Sequence, residues 1–369
     1  MTERAGNPPT TGPTATSARA LGPDLARGIL LLFIAVANSH GLLQPAGVRT
    51  IRAMPIASAL PDRVVAFLET TLVDGRSYTM FAALFGYGVV QIARRQSGDW
   101  KSTRKLLRRR AWWLLLLGVL HGTLLYYGDI LAAYGLIALL FVPFLRFGDK
   151  WVLYGAGVMV FVGSGVYGIL SMPIDPSTDG RGPWYSIAIS APILLLTAAG
   201  PFLFGVWAAR RRLFEDVEQH RPTLRRMAAI GIPVSFLGGI PLALYTSGLL
   251  HATDANVLPA GALHALTGYV GGPAYAALIA LWSLRVRRTA LVTALQATGQ
   301  RSLTFYLAQS VVWAIVFTLF GLGTKMALWQ AALLAVATWA LTVVLAGWMR
   351  RRGFRGPFEV LIRRLTYRE

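Results

Sequence analysis

Long apolar runs separated by short basic clusters set the pattern of this chain. Apolar segments of spanning length cover 26–43, 77–93, 111–127, 130–146, 151–170, 187–208, 227–249, 263–284, 303–321 and 327–348. A helix needs about 17–25 mostly apolar residues to cross the hydrocarbon of a bilayer, so the pattern predicts an all-α, polytopic transmembrane helix bundle of about ten spans. Residues 1–23 are rich in Thr, Pro, Ala and Gly and lack an apolar period, which predicts a disordered tail. The bundle then occupies 24–349, and a basic tail that mixes apolar residues with arginine fills 350–369, suited to lying on the membrane surface.

The loops test the span count. With ten spans the clusters at 94–110, 210–226, 285–288 and 350–355 all fall on one side, together with Arg146 and Lys150. The opposite loops, 172–185 and 251–257, hold few Lys or Arg. By the positive-inside rule the basic side is cytoplasmic, which places the protein in the cytoplasmic membrane with both termini inside. The small residues Ala35, Val36 and Ala37 also resemble a signal-peptide cleavage site, but cleavage there would break the even count.

Composition sharpens this picture in three ways. Only 14% of the 369 residues are charged, against roughly 25% in a soluble domain. The net charge of +20 sits in the short clusters between apolar runs, so it is explained by topology and not by nucleic-acid binding. The absence of cysteine excludes disulfides, thiol chemistry and Cys-ligated metals. No His/Asp/Glu spacing resembles a zinc site and no Walker-type phosphate loop is present, so no metal and no permanently bound cofactor is expected.

Polar residues inside such spans then become the candidates for chemistry. Asn38, His40, Asp74, Arg76, His121 and Asp129 all fall in the outer half of the first four spans, with Tyr127 beside Asp129. His121 is about 9 Å short of the outer end of its span, at 1.5 Å of rise per residue. Intramembrane ionisable residues are costly and normally face the bundle interior with a partner, so convergence at one depth predicts a shared polar cavity. Each has a structural reading as well. His121 serves as a helix–helix hydrogen-bonding residue, Asp129 as the N-cap of the following helix, and Asp74 with Arg76 as a pair. At the inner end stand Asp24 and Arg27, read as a pair or an interfacial anchor. In the ninth span Arg301, Tyr306 and Gln309 follow at helical spacing and are read as lining an inner vestibule or as a polar helix contact. Tyr126, Tyr127, Trp112 and Trp113 suit an aromatic belt, while His220, His251 and His264 fall in loops or near span ends.

Two resemblances follow from particular stretches. "PDLARGILLLFIAVAN" resembles the first span of transmembrane acyltransferases of the heparan-α-glucosaminide N-acetyltransferase type, through Asp24, Arg27, Gly28 and Asn38. More of the chain resembles the domain-of-unknown-function 418, or YeiB-like, group of bacterial membrane proteins. The matching blocks are "DGRSYTMFAALFGYG", "LLGVLHGTLLYYGDILAAYGLIALL", "GQRSLTFYLAQS" and "RGPFEVLIRRLTY". Val360 stands where that group often carries Trp. The acyltransferase resemblance implies an acyl group passed from cytoplasmic acyl-CoA, acetyl-CoA above all, to an acceptor across the membrane. It carries over to Asp24, Arg27, Gly28 and Asn38 only, because His40 does not match the position of that family's histidine.

The residues and the resemblance together give an expected function: a membrane acyltransferase acting on an envelope sugar, lipid or metabolite. His40, His121, Asn38, Asp74 and Asp129 form the expected catalytic set, Asp24, Arg27, Arg301, Tyr306 and Gln309 the acyl-CoA side, and Arg76 and Tyr127 the substrate contacts. A histidine would act as base or acyl carrier, oriented by a carboxylate, with Asn38 donating to the oxyanion. A transporter or flippase using the same His/Asp cavity is the alternative, and a non-catalytic scaffold a third. The expected partners are the bilayer, acyl-CoA and the acceptor, and the resemblance leaves room for a homodimer that nothing in the sequence requires.

Overall fold

Each apolar run folds as a helix in the computed structural model, which describes residues 21–43, 47–96, 98–174 and 183–367, without the side chains of 183–190. Most of the expected N-terminal tail, residues 1–20, lies outside the described residues, as does the 175–182 part of the loop read at 172–185. The helices are α1 (Leu21–Ser39), α2 (Leu60–Leu72), α3 (Ser77–Arg94), α4 (Trp100–Leu124), α5 (Leu131–Phe141), α6 (Asp149–Leu170) and α7 (Pro183–Arg210). The second half adds α8 (Arg221–Thr246), α9 (Asp254–Ser283), α10 (Ala290–Gln300), α11 (Ser302–Trp313), α12 (Leu328–Arg351) and α13 (Pro357–Tyr367). A small antiparallel hairpin, β1 (Thr50–Ile51) with β2 (Met54–Pro55), lies between α1 and α2.

This is an all-α transmembrane-type bundle: among the described residues seven helices are long and apolar enough to cross a membrane. They are α1, α6 to α9, α11 with the π-helical turn Ala314–Leu319, and α12. The other three expected spans coincide with α3, with α4, and with α5 continued by the 3₁₀ turn Val142–Arg146. Three helices lie outside the expected ten: α2, α10 and α13. The bundle's principal helix pairings are α8 on α9, α3 on α7, α6 on α7 and α4 on α5. At the α3–α7 contact Gly86 meets the Phe202 backbone and Gly205 that of Ala83, where any Cβ would overlap a carbonyl oxygen. Apolar solvent gives helices no hydrophobic drive to associate, so close backbone packing of this kind supplies the attraction.

The helices do not end at one level, and that positions the site. Ser171, at the end of α6, packs on Gly261 of α9, while Gly75, just before α3, packs on Gly268. Those two α9 glycines are seven residues apart, so α3 begins about 10 Å below the end of α6 at 1.5 Å per residue. The α4–α5 turn stops at a similar depth, because Tyr134 near the start of α5 donates to the Tyr78 carbonyl near the start of α3 (3.1 Å). Segments 47–59 and α2 cover this recess, with Ala57 bonded to the last turn of α8 (Thr246, 3.1 Å) and Thr70 to the Thr246 hydroxyl (2.9 Å). At the opposite end stand the basic loops. Asp99 caps α4 there, and the Ser102 backbone N–H (3.0 Å) holds this exposed carboxyl below its ordinary value.

Candidate functional site

Three polar groups meet in the recess. In the first, His121 near the end of α4 and Asp129 just before α5 face each other across the tight α4–α5 hairpin. Gly118 makes that hairpin close, since a Cβ there would overlap the Ala132 amide. His121 Nδ1 lies 2.7 Å from Asp129 Oδ1, and the second carboxylate oxygen accepts the Ala132 N–H (2.7 Å), so Asp129 serves both expected roles, histidine partner and helix cap. His121 Nε2 is buried with no hydrogen-bond partner. The Tyr306 ring from α11 packs 5.1 Å from the imidazole, and its hydroxyl accepts the Ile130 N–H (3.4 Å).

The second group is His40, in the 3₁₀ turn after α1, with Glu69 of α2. Their closest atoms are 2.7 Å apart and both side chains are buried. The contact uses Glu69 Oε1, and Oε2 is buried with no hydrogen-bond partner. Tyr127 donates to the neighbouring Gly41 carbonyl, and Tyr126 stacks beside it at 5.5 Å.

The third group surrounds the break between α2 and α3. Asp74 accepts from the Tyr167 hydroxyl (2.5 Å) and the Gly75 N–H (2.9 Å), with His264 Nε2 at 3.8 Å and Arg52 Nε at 4.0 Å. The fully buried Arg76 does not pair with the Asp74 carboxylate. Its Nε donates to Ser235 Oγ (2.7 Å), Nη1 to the Thr70 (3.2 Å) and Asp74 (2.8 Å) carbonyls, and Nη2 to the Ser235 carbonyl, with the His264 ring 3.0 Å away. Arg52 reaches in from the β1–β2 turn and lies 3.8 Å over the Tyr167 ring. Arg52 and Ala53 both have positive φ (51° and 62°), the geometry a two-residue I′ hairpin requires and one that residues with a Cβ adopt at a cost. The Tyr78 and Tyr269 hydroxyls, also here, are buried beside each other.

The groups share one electrostatic environment. Asp74 and Arg52 act on His40, and Glu69 acts on Tyr126. Buried polar atoms are nearly always hydrogen-bonded, so unpartnered ones in one recess mark a place for a polar ligand or water. Among the described residues no set of three or more His, Cys, Asp or Glu is placed to hold a metal ion.

His40, Asp74, Arg76, His121, Asp129 and Tyr127 therefore lie in three separate sub-clusters at this end of the bundle. Asn38 is half-buried on α1 and makes none of these bonds. The acyl-CoA set divides. Asp24 is buried at the opposite end, bonded to Gln300 (3.0 Å) and 3.4 Å from Arg27, and Arg301 is tied to the Phe354 (3.2 Å) and Ala297 (3.0 Å) carbonyls. Tyr306 and Gln309 do not line an inner vestibule with them. The helical rise of α11 carries Tyr306 to His121, and Gln309 one turn further, where its amide meets the Leu31 carbonyl (3.4 Å).

Glu69, Arg52, Tyr167 and His264 were not anticipated. Glu69 belongs to a short helix whose period is legible in "LPDRVVAFLETTL", with proline in its first turn. His264 reads as a span-end residue if the span starts at 263, but α9 begins at Asp254, which sinks the histidine ten residues into the bundle.

Comparison with known proteins supplies the kinship. Residues 208–369 match the family model "Protein of unknown function (DUF418)". Over that stretch the chain is similar to the DUF418 family. Relatives extend the match through the N-terminal half that holds His40 to Asp129. The uncharacterized protein YxaH of Bacillus subtilis (strain 168) is 27% identical over 356 residues, covering 84% of this chain and 82% of the relative. The uncharacterized protein YeiB of Escherichia coli (strain K12) is 26% identical over 379 residues, covering 94% and 95%. Of the groups above, the DUF418 match includes His264 and Tyr306, so the recess draws on both halves of the chain.

Proposed function

We propose that this protein is an integral-membrane acyltransferase that moves an acyl group from acyl-CoA to a hydroxyl or amine acceptor at the recess. One observation carries the reading: His121 is held by Asp129 at 2.7 Å through Nδ1 while its Nε2 is buried and unpartnered. That is the arrangement of a general base waiting for a proton. His121 Nε2 takes the acceptor's proton as its oxygen or nitrogen attacks the thioester carbonyl. The tetrahedral oxyanion collapses, the C–S bond breaks, and the CoA sulfur leaves with the proton from Nε2. Asp129 holds the tautomer and stabilises the imidazolium, and Asn38 is the donor assigned to the oxyanion. Acyl-CoA enters from the basic face, where the loops attract its phosphates. The protein sits in the cytoplasmic membrane with that face inside. The acceptor is an envelope sugar, lipid or metabolite reached from the recess side.

A second reading, transport, is favoured by one feature: the chain breaks at 73–76 between α2 and α3 beside the half-buried Asp74, and broken helices with buried carboxylates are a transporter device. The experiment separates the two. Membranes holding the full chain are supplied with radiolabelled acetyl-CoA or longer acyl-CoAs and with extracts of envelope glycans and lipids. Acyl transfer is expected, falling about 10²–10⁴-fold in His121→Ala, the usual contribution of a general base. Passage of an intact solute without any acyl donor, unaffected by acyl-CoA, would replace this reading with transport.

A further inference from the structure

Far from the histidines, an apolar groove of about 440 Å³ opens on the bundle surface where the 3₁₀ turn after α5 meets the first turns of α6. Its wall is aromatic: Phe141, Phe144, Phe147, Trp151 and Tyr154, closed by Val158. Trp151 is 64% and Tyr154 68% exposed, although each is large and apolar enough to be worth covering. Gly155 lies in the lining of the groove. A Cβ there would press on the Phe144 ring at 3.2 Å and on Leu203 at 3.3 Å. The volume lies within the roughly 300–1,000 Å³ typical of a small-molecule site.

Charge at one end identifies the occupant. The groove lies at the basic end of the bundle. Arg210 donates to the carbonyls of two of its wall residues, Phe147 (2.8 Å) and Phe144 (3.1 Å). Arg211 lies beside it, and both reach the one local carboxylate, Asp149, at 3.0 and 3.4 Å. Arg146 and Lys150, exposed, flank Phe147 on either side in the chain. Two arginines therefore meet Asp149, and Arg146 and Lys150 add two exposed cations in the same stretch of chain, next to an apolar slot on α6, where Phe161 is 80% exposed. An acyl chain fits the slot, and a phosphate fits the cations; basic pockets of this kind select anionic head groups.

We propose that this groove is a binding site for an anionic phospholipid of the leaflet on the basic side, with one acyl chain against Trp151 and Tyr154 and the phosphate beside Lys150, Arg146 and Arg211. The site is independent of the acyl-transfer reading.

Native mass spectrometry of the full-length protein, released from micelles doped with equal phosphatidylglycerol and phosphatidylcholine, tests it. The wild type should retain phosphatidylglycerol at least about fivefold over phosphatidylcholine, in keeping with the anionic-lipid preference of basic clusters. Arg146→Gln with Lys150→Gln, both exposed positions, should erase that preference while leaving phosphatidylcholine retention unchanged. Val158→Trp, which fills the slot from its edge, should reduce retention of phosphatidylglycerol. Equal retention of the two lipids by the wild type would overturn the proposal, as would a preference that survives the double charge variant. Retention undiminished in Val158→Trp would overturn the placement of the chain in the slot.

Discussion

At the scale of single residues, Asp129 does two jobs that one substitution can separate. Its Oδ2 caps α5 through the Ala132 N–H and its Oδ1 holds His121. Asparagine caps a helix about as well as aspartate, whereas alanine costs about 0.5–2 kcal/mol. Asp129→Asn is therefore expected to melt close to the wild type in detergent but to lose acyl transfer, while Asp129→Ala loses both stability and transfer. Retained transfer in a well-folded Asp129→Asn would remove the carboxylate from the chemistry and leave a helix cap. Arg76 is the contrasting case, a buried cation with no unpartnered neighbour to serve. Four of its donors are matched to two oxygens of Ser235 and to the Thr70 and Asp74 carbonyls, a planar fork that a lysine ammonium cannot reproduce. Arg76→Lys should lower the melting temperature nearly as far as Arg76→Ala, and a full rescue by lysine would show that charge alone is required. Much of this was legible before folding. The seven residues between His121 and Asp129 span one helix end and one turn, so their meeting is a local matter. Glu69 and His264 reach the site through tertiary contacts between distant segments, which no spacing encodes.

At the scale of elements, the carboxyl-terminal tail departs from expectation for a specific reason. Its mixture of apolar residues and arginine suits a helix lying on the membrane, and α13 is indeed a helix. However, Glu359 pins it into the bundle. One oxygen accepts the Leu303 (2.8 Å) and Thr304 (3.2 Å) N–H groups and the other the Thr304 hydroxyl (2.5 Å), so a residue of α13 caps α11. Ile362 and Thr366 are buried by the same docking, which brings α13 against α4 as well. The helices that α13 touches are those that carry His121 and Tyr306. Glu359→Ala should destabilise the protein by about 1 kcal/mol, the usual cost of a lost N-cap. It should also speed trypsin cleavage after Arg363 and Arg364 in the purified protein, because an undocked tail is open to the protease. Unchanged cleavage would mean that apolar contacts alone hold the tail. The long helices were legible because an apolar run of spanning length has few other folds available. The shorter α2 and α10 have 13 and 11 residues, below spanning length, and α2 mixes charges with its apolar positions.

At the scale of the whole molecule, two opposed ends account for the functional reading. One end gathers the arginines of the 94–110, 210–226, 285–288 and 350–355 clusters; the other holds the recess with its histidines and carboxylates. A group-transfer enzyme drawing a charged donor from one side and an acceptor from the other needs this polarity, and the arrangement depends on the number of spans being even. The absence of cysteine makes the count directly measurable, since single cysteines can be introduced one at a time into an otherwise unreactive chain. Ser58 and Leu250 are exposed at the recess end, and Lys101, Arg287 and Arg352 at the basic end. In intact cells a membrane-impermeant maleimide is expected to label Ser58→Cys and Leu250→Cys. Lys101→Cys, Arg287→Cys and Arg352→Cys should react only after the membrane is opened, because basic loops are retained inside. The Lys101 and Ser58 positions bracket α3, an 18-residue helix, so they test that crossing directly. The reverse pattern would turn the bundle over, bringing the recess to the cytoplasm and the basic end to the outside. The donor and acceptor sides would then exchange, and acyl-CoA would meet His121 from the recess without crossing the bundle.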